Sequence, residues 1–185
     1  AKINLSSNRV NGFLQHTLPL SKKQDLKLVV GARAMYWDYT KELNVSPRAT
    51  ISFKPNWEKD WVFRASWGYY QQAPFYRELR NYDGTLSTNP KTQQSIHYVL
   101  AADHQFLMFG KRKFRLISEL YYKDMKNIIP YEIDNVRIRY FANNNTKGYA
   151  TGADIRINGE FVRGVESWAT MGVLRTYEYS ANNIH

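Results

Sequence analysis

This sequence predicts an all-β chain that crosses a membrane as part of an antiparallel up-and-down β-barrel. Three observations lead there. Long segments alternate apolar and polar residues, their connections are short at one end and long at the other, and aromatic pairs recur eight residues apart on one face. The alternation is the primary signal. Successive side chains of a strand point to opposite faces, so a strand between lipid and a wet interior is apolar at every second position.

Eight strands can be placed on this criterion in the 185 residues. The first covers roughly 9–18 and ends in a turn at 19–25. The second, 26–37, sets Leu28, Val30, Ala32, Ala34 and Tyr36 on one face and Arg33 on the other. After a short connection the third, 44–54, opposes Ala49, Ile51 and Phe53 to Arg48, Thr50 and Ser52. Pro55 and Asn56 supply turn chemistry at 55–60. The fourth strand, 61–71, is the cleanest: Trp61, Phe63, Ala65, Trp67 and Tyr69 share one face, and Arg64, Ser66, Gly68 and Tyr70 the other.

A long loop, about 72–91, carries Pro74, Gly84 and Pro90 into the fifth strand, about 92–109. There Tyr98, Leu100, Ala102, Phe106 and Met108 oppose Asp103 and Gln105, with His104 an exception on the apolar face. A tight basic turn at 110–113 starts the sixth strand, from Phe114 to about Lys126. A second long loop, about 127–147, precedes the seventh strand at 148–158. The turn 159–164 leads to the eighth, about 165–179, with Asp154, Arg156, Glu166 and Thr170 on the polar side.

Connection lengths therefore segregate: 19–25, 55–60, 110–113 and 159–164 are short, while 72–91 and 127–147 are long. Short periplasmic turns and long extracellular loops produce that asymmetry. The aromatics add a second test. Trp61 and Tyr69, Phe114 and Tyr122, and Tyr98 and Phe106 each lie eight residues apart on one face. At ~3.3 Å per residue this spans ~26 Å, or ~20 Å along the normal of a strand tilted by ~40°, close to the ~25 Å apolar band of such barrels. Trp61, Trp67, Tyr69, Tyr98, Phe106, Phe114 and Tyr122 are accordingly expected to form aromatic girdles.

Composition narrows the chemistry. Hydrophobic residues make up 43% and mean hydropathy is −0.57, yet alternating strands average out in such figures. No apolar run approaches the ~20 residues of a membrane helix. The chain has no Cys, which removes a thiol nucleophile, a disulfide framework and a zinc finger. Its net charge of +10 is scattered through turns and strands, so no nucleic-acid partner is expected. His16, His97, His104 and His185 have no metal-ligand spacing. No nucleophile elbow, phosphate loop or dinucleotide fingerprint occurs, and Glu119 and Asp124 fall on opposite faces. The expectation is a chain that is not an enzyme and carries no cofactor.

Two sets of side chains remain as candidates. Arg33, Arg64, Asp103, Arg115, Glu119, Lys123, Asp154, Arg156 and Glu166 line the inferred lumen face as mixed charges. Phe75, Tyr76, Arg77, Glu78, Arg80 and Tyr82 of the first long loop, with Tyr131, Arg137, Arg139, Tyr140 and Phe141 of the second, combine aromatics with Arg in a way that suits stacking on sugars, peptides or metal chelates.

Three segments carry a resemblance: 70–81 (YQQAPFYRELRN), 118–140 (SELYYKDMKNIIPYEIDNVRIRY) and 148–168 (GYATGADIRINGEFVRGVESW). Together they resemble the TonB-dependent outer-membrane receptors of Bacteroidetes bacteria, over most of the chain from about residue 28. The resemblance implies about eight strands from the C-terminal half of a 22-stranded barrel integral to the bacterial outer membrane. In that reading residues 1–185 are a partial barrel domain, with long extracellular loops at about 72–91 and 127–147 and no plug domain. It also implies import of a scarce ligand with energy from the inner membrane. The implied partners are the receptor's own plug and TonB, in a setting of outer-membrane lipid and lipopolysaccharide, with a surface lipoprotein as a further candidate. A scaffold subunit of a larger outer-membrane complex, or a complete eight-stranded barrel, are the alternative roles.

Overall fold

The computed structural model describes residues 6–23, 25–81, 84–87 and 90–180. Eight strands form one antiparallel sheet, in spatial order β1-β2-β3-β4-β5-β6-β9-β10. They are β1 Arg9–Pro19, β2 Leu26–Trp37, β3 Glu42–Phe53, β4 Asp60–Gln72, β5 Gln93–Met108, β6 Arg112–Ile128, β9 Thr146–Val162 and β10 Val165–Ser180. A separate two-stranded hairpin, β7 Tyr131–Asp134 and β8 Arg137–Tyr140, rises between β6 and β9. All but one neighbouring pair in the large sheet is consecutive in sequence, and β6–β9 skips only that hairpin. The expected up-and-down order is therefore the observed one, and the sheet is open: among the described residues β1 and β10 do not pair.

The register fixes the faces, because directly opposed residues point the same way. Leu28, Ile51, Ala65, Leu100, Leu120 and Ala153 fall in consecutive opposed pairs, so the apolar face is continuous from β2 to β9. On it the rings at the short-turn end form a ribbon. Trp57, Phe63 and Trp61 lie 5.9 and 5.7 Å apart between centroids, Trp61 stacks on His104 at 4.1 Å, His104 on Phe106 at 5.2 Å, and Phe106 on Phe114 at 5.8 Å. Phe161 meets Phe114 edge-on at 5.0 Å. His104 thus belongs to this face as an aromatic: its ring is stacked, and its Nδ1 lies 3.0 Å from the Asp60 carbonyl oxygen. At the loop end Tyr122, Tyr149 and Tyr177 form a second row at 6.1 and 5.9 Å. Edge strands break the alternation: Phe13 of β1 and Trp168 and Leu174 of β10 stand on the polar side, exposed.

Several elements differ from the sequence expectation. The turn expected at 159–164 shrinks to Arg163 and Gly164, because Gly159 continues β9 beneath an aromatic ring: it pairs directly with Phe114, whose ring occupies the space a Cβ would need. Glycine in a strand thus marks a close approach, not a turn. Strand β6 begins at Arg112, two residues earlier than expected, since Phe109, Gly110 and Lys111 take positive φ and complete the reversal themselves. The loop expected at 127–147 holds the β7–β8 hairpin, with Asn135 at φ 55° in its turn. The loop expected at 72–91 contains a 3-10 turn, Tyr76–Leu79.

A Gly159→Val substitution is expected to displace the Phe114 ring and destabilise the barrel by about 1–3 kcal/mol, as overpacking does. Urea-dependent loss of heat-modifiable gel mobility in the full-length protein measures it. Gly164→Ala, strained by its φ of 80° but in open space, should cost less.

Candidate functional site

The polar face carries its charges in register. Arg64 opposes Ala101, Ala101 opposes Glu119, and Glu119 opposes Asp154, so one row across β4, β5, β6 and β9 holds a guanidinium and two carboxylates. Asp103 is buried at 5% exposure, and it is the hub of this face. Arg115 donates to it through Nε at 3.0 Å to both carboxylate oxygens and through Nη2, and Arg64 Nη2 stands 3.8 Å away. The bidentate fork between neighbouring strands is the strong form of this pairing. Arg33 and Arg48 instead donate to amides, Asn11 Oδ1 at 3.4 Å and Gln15 Oε1 at 3.1 Å. Arg156 donates to Asn158 Oδ1 at 2.8 Å and lies over the Trp168 ring at 5.5 Å. Lys123 sits 5.4 Å from the Tyr121 ring centroid. Glu166 falls in the irregularity between Val165 and Ser167, so it has no register partner and does not join the row. Asp124 points to the other face, away from Glu119, and pairs with Lys126 at 3.6 Å.

At the loop end the chain folds back over this face. Trp37, on the polar side of β2, is fully buried beneath Ala73 and Leu79 of the 72–91 loop, with Met35, Tyr39 and Leu86 around them. Arg9 is held between two rings, 4.0 Å from the Trp37 centroid and 5.1 Å from that of Tyr76, and donates to the Pro74 carbonyl at 2.7 Å. Trp37 Nε1 donates to Ser7 Oγ at 3.1 Å, and Ser7 Oγ lies 2.9 Å from the Tyr76 hydroxyl. Inside the loop the Phe75 N–H donates to Glu78 Oε2 at 2.9 Å, as does Gln93 Nε2 at 3.2 Å, which explains why Glu78 is buried.

The β7–β8 hairpin is amphipathic by register. Tyr131 opposes Tyr140 and Ile133 opposes Ile138 on one face, while Glu132 with Arg139 and Asp134 with Arg137 occupy the other. Arg77 reaches across from the first loop, its guanidinium 5.9 Å from the Phe75 centroid and 5.5 Å from that of Tyr140. Below, Asn144 ties both loops to the sheet: it accepts from the Lys91 N–H at 2.8 Å and donates to the Asn127 carbonyl at 2.9 Å, while Asn127 Nδ2 donates to the Thr92 carbonyl at 3.3 Å.

The structure therefore brings Phe75, Arg77, Tyr131 and Tyr140 into one surface. It separates Tyr76, which is spent on Trp37 and Arg9, and Arg80, whose backbone bridges to Leu86 and whose guanidinium lies beside Gly84. Arg137 and Arg139 belong to the polar face of the hairpin, with Arg139 2.5 Å from Asp134. Tyr82 and His185 lie outside the described residues. Trp37, Arg9, Asn127 and Asn144 were missed. Trp37 closes the strand expected at 26–37 without a role of its own, and only its place at the polar parity of β2 distinguishes it.

Two outcomes follow. Asp103→Asn leaves two guanidiniums facing a neutral amide and should destabilise the full-length barrel by about 1–3 kcal/mol, read from urea midpoints. Arg77→Ala removes a contact of about 0.5–1 kcal/mol between the loops, so hydrogen exchange across residues 131–140 should rise about 2- to 5-fold with the barrel strands unchanged.

Comparison with known proteins places this geometry. The family model described as TonB dependent receptor-like, beta-barrel matches residues 3–184. Among solved structures, a chain of the FpvAI–pyocin S2 complex superposes with a TM-score of 0.61 at 14% identity, over 91% of this chain and 23% of that one. That likeness is one of fold, and the present chain spans about a quarter of the protein it matches. No curated protein matches the chain. An antiparallel sheet with one apolar and one charged face, matched almost end to end by a single family model, leaves one assignment: the chain belongs to the TonB dependent receptor-like β-barrel family, whose barrels are integral to the bacterial outer membrane.

Proposed function

We propose that this chain is a wall segment from the C-terminal part of a 22-stranded TonB-dependent transporter of the Bacteroidetes type, importing a scarce ligand across the outer membrane. The open sheet carries this reading: among the described residues β1 and β10 leave their outer edges unpaired, as a segment of a larger barrel requires. It favours a large barrel over a closed eight-stranded one. The charged face lines the lumen and meets the plug domain, while the two rows of rings sit at the membrane interfaces. The loops at 72–91 and 127–147 are extracellular. Phe75, Arg77, Tyr131 and Tyr140 offer a guanidinium among aromatic faces, a surface suited to a planar or polyhydroxylated ligand. TonB supplies the energy through the plug, and a surface lipoprotein is the candidate partner at the loop end.

The test uses the full-length protein in its own host. Its barrel should run as a monomer several times the 21.8 kDa of this segment. Deleting the gene should abolish growth on one limiting nutrient. The combined Phe75→Ala, Arg77→Ala and Tyr140→Ala variant should restore less than about a tenth of wild-type uptake at equal outer-membrane abundance, the effect of losing several aromatic and cation contacts together. If no nutrient distinguishes the deletion strain, the import reading falls and a scaffold role replaces it.

A further inference from the structure

The seam between β3 and β4 opens toward the loops. Their pairing ends at Arg48–Gly68, although β3 continues to Glu42 and β4 to Gln72. Pro47, the next residue, has no N–H for a ladder bond. Three residues beyond the last β4 pair, the Gln71 N–H donates to the Ser46 hydroxyl, at 3.1 Å, in place of a strand carbonyl. Beyond this point β4 carries its loop over the polar face toward Trp37. The space left behind is a cavity of about 460 Å³, lined by Glu42, Asn44, Gln71, Thr92, Gln94 and Asn127 among others.

Its chemistry is specific. Four of its eight lining residues carry side-chain amides, each with a donor and an acceptor: Asn44 at the parity of the polar face, Gln71 and Gln94 at that of the apolar face, and Asn127 at the irregularity of β6, brought together in the gap between the strands. Asn44 is buried at 4% exposure, and its Nδ2 has no hydrogen-bond partner. A buried donor left unpaired is unfavourable, so the amide has hydrogen-bonding capacity left for a group from outside the chain. The Glu42 carboxylate accepts from Thr92 Oγ1 at 2.9 Å across the gap, and Lys91 also lines the cavity, so it carries one charge of each sign and no net charge that would select an ion. Its volume falls within the ~300–1,000 Å³ of small-ligand sites and accommodates one or two sugar rings. Gln71 and Gln94 are directly opposed, two residues beyond the Tyr69–Ile96 pair, so the cavity lies ~7 Å along the strand, or ~5 Å along the normal of a strand tilted by ~40°, beyond that ring level. With the loops extracellular, as in the proposed function on which this placement rests, that is the level of the outer leaflet's headgroups.

We infer that this seam is a saccharide-binding site in the barrel wall, in which the amides of Asn44, Gln71, Gln94 and Asn127 hold the ring hydroxyls of one or two sugar residues. The sugar is presented either by the glycolipid of the outer leaflet or by a free glycan. The site is separate from the Arg77 surface and does not depend on import.

The experiment titrates the full-length receptor in detergent with intact lipopolysaccharide and, in a second arm, with the oligosaccharide released from it by mild acid. Wild type, Asn44→Leu and Gln94→Ala are compared by calorimetry. Each variant is expected to weaken saccharide binding by ~10-fold, the effect of a lost hydrogen bond to a buried amide. Weakening in both arms supports the shared chemistry from either source. Weakening confined to lipopolysaccharide assigns the site to the membrane glycolipid, and weakening confined to the oligosaccharide assigns it to soluble glycans. Should Asn44→Leu fail to assemble, Gln94→Ala at the cavity's outer side carries the comparison alone. Absence of binding to wild type in both arms, or affinities unchanged in an assembled variant, overturns the inference.

Discussion

A backbone N–H or C=O inside a bilayer finds no water, and each unpaired group costs several kcal/mol. Nearly everything in this structure answers to that requirement. Seven ladders of antiparallel pairs satisfy the strands in register, from β1–β2 through to β9–β10. Because pairing is obligatory, side chains are free to specify what each face meets. The β3–β4 ladder stops short of the loop end, at Arg48–Gly68 next to Pro47, which has no N–H to give it.

The two faces solve different problems. On the apolar face association is not driven by hydrophobic burial, since lipid tails already accept those side chains; packing of rings on rings and rings over glycine fills the surface instead. Phe114 over Gly159 and Tyr121 against Gly152, on opposite faces of the sheet, show one device used twice. On the polar face the governing term is charge pairing. There Asp103 is the most buried carboxylate among the described residues, and it is matched by two guanidiniums.

Much of this was legible in the sequence because a period of two survives any tertiary context. Strand β2 lies at 26–37 as the alternation places it, and the faces of β4, β5 and β6 follow from parity alone. What resisted reading depends on contacts between distant residues. Gly159 looked like a turn because the Phe114 ring that covers it lies forty-five positions earlier. The β7–β8 hairpin was hidden because four-residue strands give too few alternations to stand out against a polar loop. In the candidate surface Arg77 and Tyr140 were foreseen as loop residues, but nothing local told that the two loops meet through them. Tyr76 and Glu78 carry the same residue types as binding groups and are consumed by packing; only the neighbours Arg9, Trp37 and Gln93 decide that.

Strand order has a kinetic meaning as well. Each strand of the large sheet lies beside its sequence neighbour, apart from the step over one hairpin, so bringing any two together closes a loop of modest length. Loop-closure entropy grows only slowly with such lengths, and sheets of adjacent partners can zip up hairpin by hairpin without waiting for distant ends to meet. The growing sheet always presents one raw edge, and the next strand is the one already tethered to it. Sequential pairing thus lets the chain template its own elongation in the membrane, and the length of the wall becomes a matter of how many hairpins are added.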